Sequence, residues 1–170
     1  MQNPRWMKYG ANYWTNLIPR LQAMDQYEPT VKALLGWLLE DQLDALQHLL
    51  KDAGSPIEQL MALALDNWMC ETKLNYHIEP QAPIEVNSKR YRVDLLVEIH
   101  QGDKCTEFAI ECDGHNFHEK TKEQARRDKE RERALQARGL TVIRFTGSEI
   151  WRNPFRCAED AVRIILGGVE

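Results

Sequence analysis

The chain has 170 residues, 43% hydrophobic and 28% charged, which suits one globular α/β or α+β domain with some decoration and excludes a largely disordered chain. No apolar run reaches bilayer length, and the opening MQNPRWMKYG has no signal-peptide core, so the expectation is a cytoplasmic protein with no membrane partner. The net charge of −4 gives no global basic field, which argues against tight non-specific DNA binding but not against a nuclease, whose own acidic metal ligands depress the charge.

In chain order, Val31, Leu34, Leu35, Leu38, Leu39, Leu46, Leu49 and Leu50 recur at helical spacing, with Glu40, Asp41, Asp44 and Lys51 between them. Pro29 and Thr30 open this helix and Gly54 stops it. Residues 1–54 thus read as a helical extension packed on the rest, and its leucine-rich helix is a candidate homodimer face. Ser55-Pro56-Ile57-Glu58 starts a second helix, with serine as cap, proline at the first helical position and Glu58 in the first turn or at the capping-box position. It is expected to run to about Cys70, and residues 55–170 to form the main domain.

Period-two patterns follow. Leu74 to Ile78 and Ile84 to Val86 read as two short strands around Pro80 and Pro83. Tyr91, Val93, Leu95, Val97 and Ile99 alternate along a longer strand, Gln101-Gly102-Asp103 is a turn, and Phe108, Ile110 and Cys112 alternate along the next strand up to Gly114. Glu119 to Arg138 is highly charged but free of Gly and Pro, which favours helix, and Gly139 ends it as a left-handed cap. Leu140 to Phe145 is a strand and Ala158 to Leu166 a closing helix. The cysteines Cys70, Cys105, Cys112 and Cys157 form no CxxC pair and read as free thiols.

The chemistry concentrates on two adjacent strands. Asp94 interrupts an apolar pattern between Val93 and Leu95, where a carboxylate must be paired or bind a metal. Glu111 and Asp113 are two apart on the next strand and so share a face. Antiparallel pairing through the Gly102 turn brings Asp94 across from them. Three converging carboxylates repel one another unless a cation neutralises them, and oxygen-only ligands suit Mg²⁺ or Mn²⁺ better than zinc. The alternative is that these acids line a solvated sheet face. A zinc site from Cys112, His115 and His118 is conceivable by spacing, but Cys112 is expected to face away from Asp113.

The stretch Ala109-Ile110-Glu111-Cys112-Asp113-Gly114, then His115 and His118, then Asp128, Arg131, Leu135, Gly139, Val142 and Arg144-Phe145, resembles the restriction-endonuclease-like nucleases. Within them it is most similar to bacterial domains related to the very-short-patch-repair endonucleases. The resemblance spans about residues 55 to 155. It implies an α/β fold whose central mixed sheet of about four or five strands is flanked by helices. It also implies metal-dependent phosphodiester hydrolysis with nucleic acid, DNA above all, as partner. Asp94 and Glu111 match the two metal-ligand positions of the PD-(D/E)XK signature, and Glu58 the upstream helix acid. The expected metal set is therefore Glu58, Asp94, Glu111 and Asp113.

The signature lysine is replaced by Asp113, as in the subfamily the chain resembles. Its positive charge must come from another element or be dispensed with. Lys122, helped by Arg126 on the same helix face, is the expected donor, with Lys120 nearer the loop as a second phosphate contact. His115 and His118 lie just past the metal strand and are candidates for general base, general acid or phosphate contact. The rival reading is a non-catalytic module on the same fold that binds nucleic acid or protein.

Overall fold

A computed structural model describes residues 29–113 and 122–169, apart from the side chains of Lys32, Leu35, Lys122, Gln124 and Ala125. In chain order the elements are α1 (Pro29–Asp52), α2 (Pro56–Met69), β1 (Asn75–Val86), β2 (Lys89–Gln101), β3 (Lys104–Asp113), α3 (Lys122–Ala137), β4 (Thr141–Thr146), α4 (Gly147–Arg152) and α5 (Pro154–Val169). They fall into two units, 1–48 and 49–170. In the first, α1 exposes Val31, Leu34, Trp37, Leu38, Leu39 and Leu43. None of the described helices is long and apolar enough to cross a membrane.

The second unit is a mixed α/β fold, a four-stranded sheet in the order β1-β2-β3-β4 flanked by helices. β1, β2 and β3 form an antiparallel meander, and β4 lies parallel to β3. A parallel step requires a crossover, which α3 supplies. The β2–β3 turn carries Gly102 at φ +60°, a left-handed position that favours glycine.

Two short strands were expected around Pro80 and Pro83; instead β1 runs unbroken for 12 residues. It is an edge strand, so a proline there removes no ladder bond on its open side. The interruption is conformational: Gln81 adopts φ +54° between the register pairs Pro80↔Leu95 and Ala82↔Val93.

Alternation along the strands produces two cores. Leu95, Val97 and Ile99 of β2, Phe108, Ile110 and Cys112 of β3 and Ile143 of β4 pack with Met61 and Leu65 of α2 and Ala158, Ala161 and Ile165 of α5. Leu96 and Ala109, one position out of phase, join Leu135 and Leu140, with Val142 against them. The sheet is thus covered on both faces.

The charged helix α3 docks by a narrow stripe. Arg131, Leu135 and Arg138 fall at i, i+4 and i+7 and so share one side. They meet Glu111, Ala109 and Glu107, which alternate along one face of β3. The Arg138 guanidinium donates to both Glu107 oxygens, at 2.6 and 3.2 Å. Gly139, at φ +92°, ends the run with a Schellman pair, Leu140 N–H to Leu135 O at 3.1 Å and Gly139 N–H to Gln136 O at 2.9 Å.

The closing helix starts earlier than expected, at Pro154, since proline suits a first helical position. A short helix not expected from the pattern, α4, precedes it. Its signal is Thr146-x-x-Glu149, a capping box in which each side chain accepts the other residue's backbone N–H.

Candidate active site

One row across the sheet carries the chemistry. Asp94 of β2 stands one step past the pair Leu95↔Ile110, against Glu111 of β3, and Glu111 pairs with Arg144 of β4. Gln81 of β1 flanks Asp94 on the other side. By alternation from Leu96, Ala109 and Val142, the residues Asp94, Glu111 and Arg144 lie on the face that α3 covers.

Asp94 Oδ2 accepts the Cys112 backbone N–H at 2.7 Å, which ties β2 to β3 just past the register pair Leu95↔Ile110. Burial pushes the Asp94 carboxyl up to about 6. The Cys112 N–H opposes this, the charges of Glu111 and Glu58 add to it, and Arg131 again opposes it.

Glu111 and Glu58 are the buried charged residues among those described, 4% and 8% exposed. Each is compensated. Arg131 of α3 grips Glu111 side by side, Nη1 to Oε2 and Nη2 to Oε1, both at 2.7 Å, and Nη2 also donates to the Arg92 carbonyl. Burial by itself lowers the Arg131 value, but the bonds to Glu111 and the charges of Glu111, Asp94 and Asp128 outweigh it and hold the guanidinium above its ordinary range.

Glu58 sits in the first turn of α2, where Ser55 caps the helix by accepting the Glu58 N–H at 3.3 Å. The Glu58 side chain receives the Ser55 hydroxyl on Oε1 at 2.8 Å. Its Oε2 receives the Gly54 N–H at 2.8 Å and the Gln81 amide at 2.5 Å. The unusual backbone of Gln81 therefore serves to aim an amide at this buried acid. Gly54 is packed close: a Cβ there would lie 3.0 Å from Gln81 Nε2 and 3.1 Å from Glu58 Oε2.

Asp113, at the end of β3, has Arg144 Nη1 at 3.8 Å from Oδ2. Cys112 points the other way, into the main core. Burial, then the charges of Asp94, Glu58, Glu111 and Asp113, raise its thiol far above the ordinary range, which makes it a poor thiolate ligand and weakens the zinc alternative. His115, His118 and Lys120 lie outside the described residues, as does the side chain of Lys122. Lys122 and Arg126 occupy the first turns of α3, and Arg126 is exposed.

The donor chemistry of Asp94 and Glu111 fits a hard divalent cation: two desolvated carboxylates on adjacent strands, with Asp94 held high by burial first and by the charges of Glu111 and Glu58 after it. Among the described residues no three His, Cys, Asp or Glu side chains gather closely enough to hold a metal ion. The structure therefore brings together a pair of acids with Glu58 near them, and Arg131 occupies the outer edge of one. Magnesium is commonly held by one or two carboxylates plus water and substrate phosphate, so a pair suffices.

Sequence reading did not single out Arg131, Arg144 or Gln81 as site residues. Arg131 and Arg144 lie within the stretch that carried the resemblance, and Arg131 shares the helical stripe with Leu135. Gln81 has no comparable signal, because its left-handed backbone is a tertiary effect.

A mixed sheet with an α2 acid, a β2 aspartate and a β3 glutamate is consistent with a restriction-endonuclease-like core. The family model REase_MTES_1575, a restriction-endonuclease-like family, matches residues 71–165, more than half of the chain, and the chain belongs to that family. No curated protein matches it. Among solved structures, it is similar to the crystal structure of protein of unknown function AF1548, at 18% identity and a TM-score of 0.33. That similarity covers 53% of this chain and 46% of the other, so it spans about half the length of each.

Proposed function

We propose that this protein is a nuclease that hydrolyses phosphodiester bonds with Mg²⁺ or Mn²⁺, with DNA as the first candidate substrate. The observation that carries this reading is the half-buried Asp94 placed against Glu111 within a restriction-endonuclease-like family. Within that superfamily we group it with the bacterial domains related to the very-short-patch-repair endonucleases, on Glu111, Asp113, Gly114 and the residues that follow them.

In this reading Asp94 and Glu111 hold the metal. A bound Mg²⁺ or Mn²⁺ supplies a Lewis acid and lowers the pKa of a coordinated water. Arg131 balances the Glu111 charge and would share that carboxylate with a bound ion. Asp113 and Glu58, the other two acids expected as ligands, keep their partners Arg144, Ser55, Gly54 and Gln81, and the Glu58 charge adds to the field at Asp94. His115 or His118 moves the proton at the leaving oxygen. Lys122 and Arg126, with Lys120 nearer the loop, draw the phosphate backbone toward the β3 end.

The test is incubation with plasmid, linear and single-stranded DNA, and with RNA, in Mg²⁺, Mn²⁺ or EDTA. Cleavage is expected in the metals and not in EDTA. Cleavage that survives chelation in a clean preparation sinks the metal mechanism.

One observation favours a second reading, a non-catalytic nucleic-acid- or protein-binding module: the Arg131 fork on Glu111 already neutralises one ligand acid. Calorimetric titration with Mn²⁺ separates the two, since a module whose acids are all committed gives no heat. The homodimer expectation is a separate proposal, supported by the apolar side chains exposed on α1. Sedimentation of the full chain and of a Leu34→Glu, Leu38→Glu variant tests it.

A further inference from the structure

Arg144 is an arginine with hydrogen-bond donors that meet no acceptor among the described residues. It faces Glu111 in the β3–β4 register and lies two residues from Val142, which packs under α3. Its Nη1 approaches Asp113 Oδ2 at 3.8 Å, an ionic contact too long for a hydrogen bond. Nε and Nη2 are closed off from water and have no hydrogen-bond partner among the described residues. Arginine cannot shed its proton in a protein, so these two donors stay charged and unmet. Arg131, the guanidinium that reaches Glu111, is spent on Glu111 and the Arg92 carbonyl.

Nε and Nη2 form one edge of the guanidinium, two parallel N–H bonds matched to two oxygens of a phosphate. The side chain as a whole is 29% exposed. Turning its end about the outer torsions presents that edge to a bound strand without moving β4.

We propose that Arg144 binds the non-bridging oxygens of the substrate phosphodiester through its Nε–Nη2 edge, with Asp113 orienting it. Asp113 stands where the superfamily signature has a lysine. The structure thus assigns the missing charge to β4, one strand over, and gives Asp113 the task of holding it. This assignment rests on the nuclease reading above.

The experiment uses full-length protein with Arg144→Gln and Arg144→Lys, and with Arg163→Ala as a charge-matched control on α5. Binding of short duplex DNA, single-stranded DNA and RNA is measured in EDTA over a range of salt, and turnover is measured in Mg²⁺ or Mn²⁺. Arg144→Gln is expected to lose about 10²-fold in turnover and about 0.9 in the slope of log affinity against log salt on duplex DNA. Arg144→Lys is expected to keep the slope but lose about tenfold in turnover, because a point charge replaces the fork. Arg163→Ala should match wild type in turnover. A folded Arg144→Gln with wild-type turnover and slope overturns the assignment and leaves the nuclease reading standing. Should Arg144→Gln fail to fold, wild-type turnover in Arg144→Lys overturns it equally. Wild-type protein that binds without cleaving overturns the nuclease reading, and the salt slopes then decide Arg144. Wild-type protein that neither binds nor cleaves overturns both.

Discussion

The Arg131 guanidinium holds both carboxylate oxygens of Glu111 at 2.7 Å, in a pair that leaves Glu111 4% exposed and joins α3 to the central strand of the site. A buried acid next to Asp94 would otherwise stand uncompensated whenever no cation is bound. Arg131 supplies that compensation from the chain itself.

Arg131→Ala strands a buried carboxylate. Breaking one side of such a pair costs about 3 kcal/mol. Thermal unfolding should therefore show a lower Tm in EDTA. Because Glu111 is then free to ligate, Mg²⁺ or Mn²⁺ should raise the Tm of Arg131→Ala more than that of wild type. Equal metal-induced shifts in the two proteins would mean that Glu111 is not a ligand.

Asp94→Asn should abolish turnover while changing stability in a pH-dependent way. The folded protein holds the Asp94 proton up to about pH 6, against an ordinary value of 3.8. Protonated Asp94 therefore favours the fold below about pH 4, and that contribution is lost as pH rises through about 6. Above it, the wild type carries a buried charge that asparagine lacks. In EDTA, Asp94→Asn should be more stable than wild type at neutral pH by about 1 to 2 kcal/mol, after discounting for partial exposure. The gain should fade toward pH 4. Chemical denaturation across that range checks it, and a pH-independent difference refutes it.

Glu58→Gln keeps a carbonyl for the Gly54 N–H and Gln81 amide and presents its own amide to the Ser55 hydroxyl, so its stability should change by only about 1 kcal/mol. Its effect is electrostatic. One of the charges that raise Asp94 is gone, so the Asp94 titration should move down from about 6. Carboxyl-carbon NMR of Asp94 reads this directly. Cleavage should fall less than in Asp94→Asn.

Gly54→Ala tests how tightly this collar is built. The new Cβ meets Gln81 Nε2 at 3.0 Å and Glu58 Oε2 at 3.1 Å, so the amide that supports Glu58 must move. A loss of about 1 to 2 kcal/mol in urea unfolding is expected. A neutral outcome would show that Gln81 is free to repack and does not anchor Glu58.

The sequence by itself determined the parts that depend on local periodicity and on neighbours along the chain. The alternation through Asp94 and through Glu111–Asp113, the glycine turn between those strands and the Ser55-Pro56 start of α2 were all legible there, because each is written within a few residues. The mixed sheet of the restriction-endonuclease-like core came from the resemblance carried by residues 109–145, not from periodicity. Tertiary structure decided what those residues touch. A charged helix discloses no partner until it docks, so only the fold shows that Arg131 spans to Glu111 and Arg138 to Glu107. A strand with two prolines reads as broken until its place at the sheet edge spares it the missing donors. The left-handed Gln81, the collar around Glu58 and the unmet edge of Arg144 arise from contacts across the sheet, which no local pattern encodes.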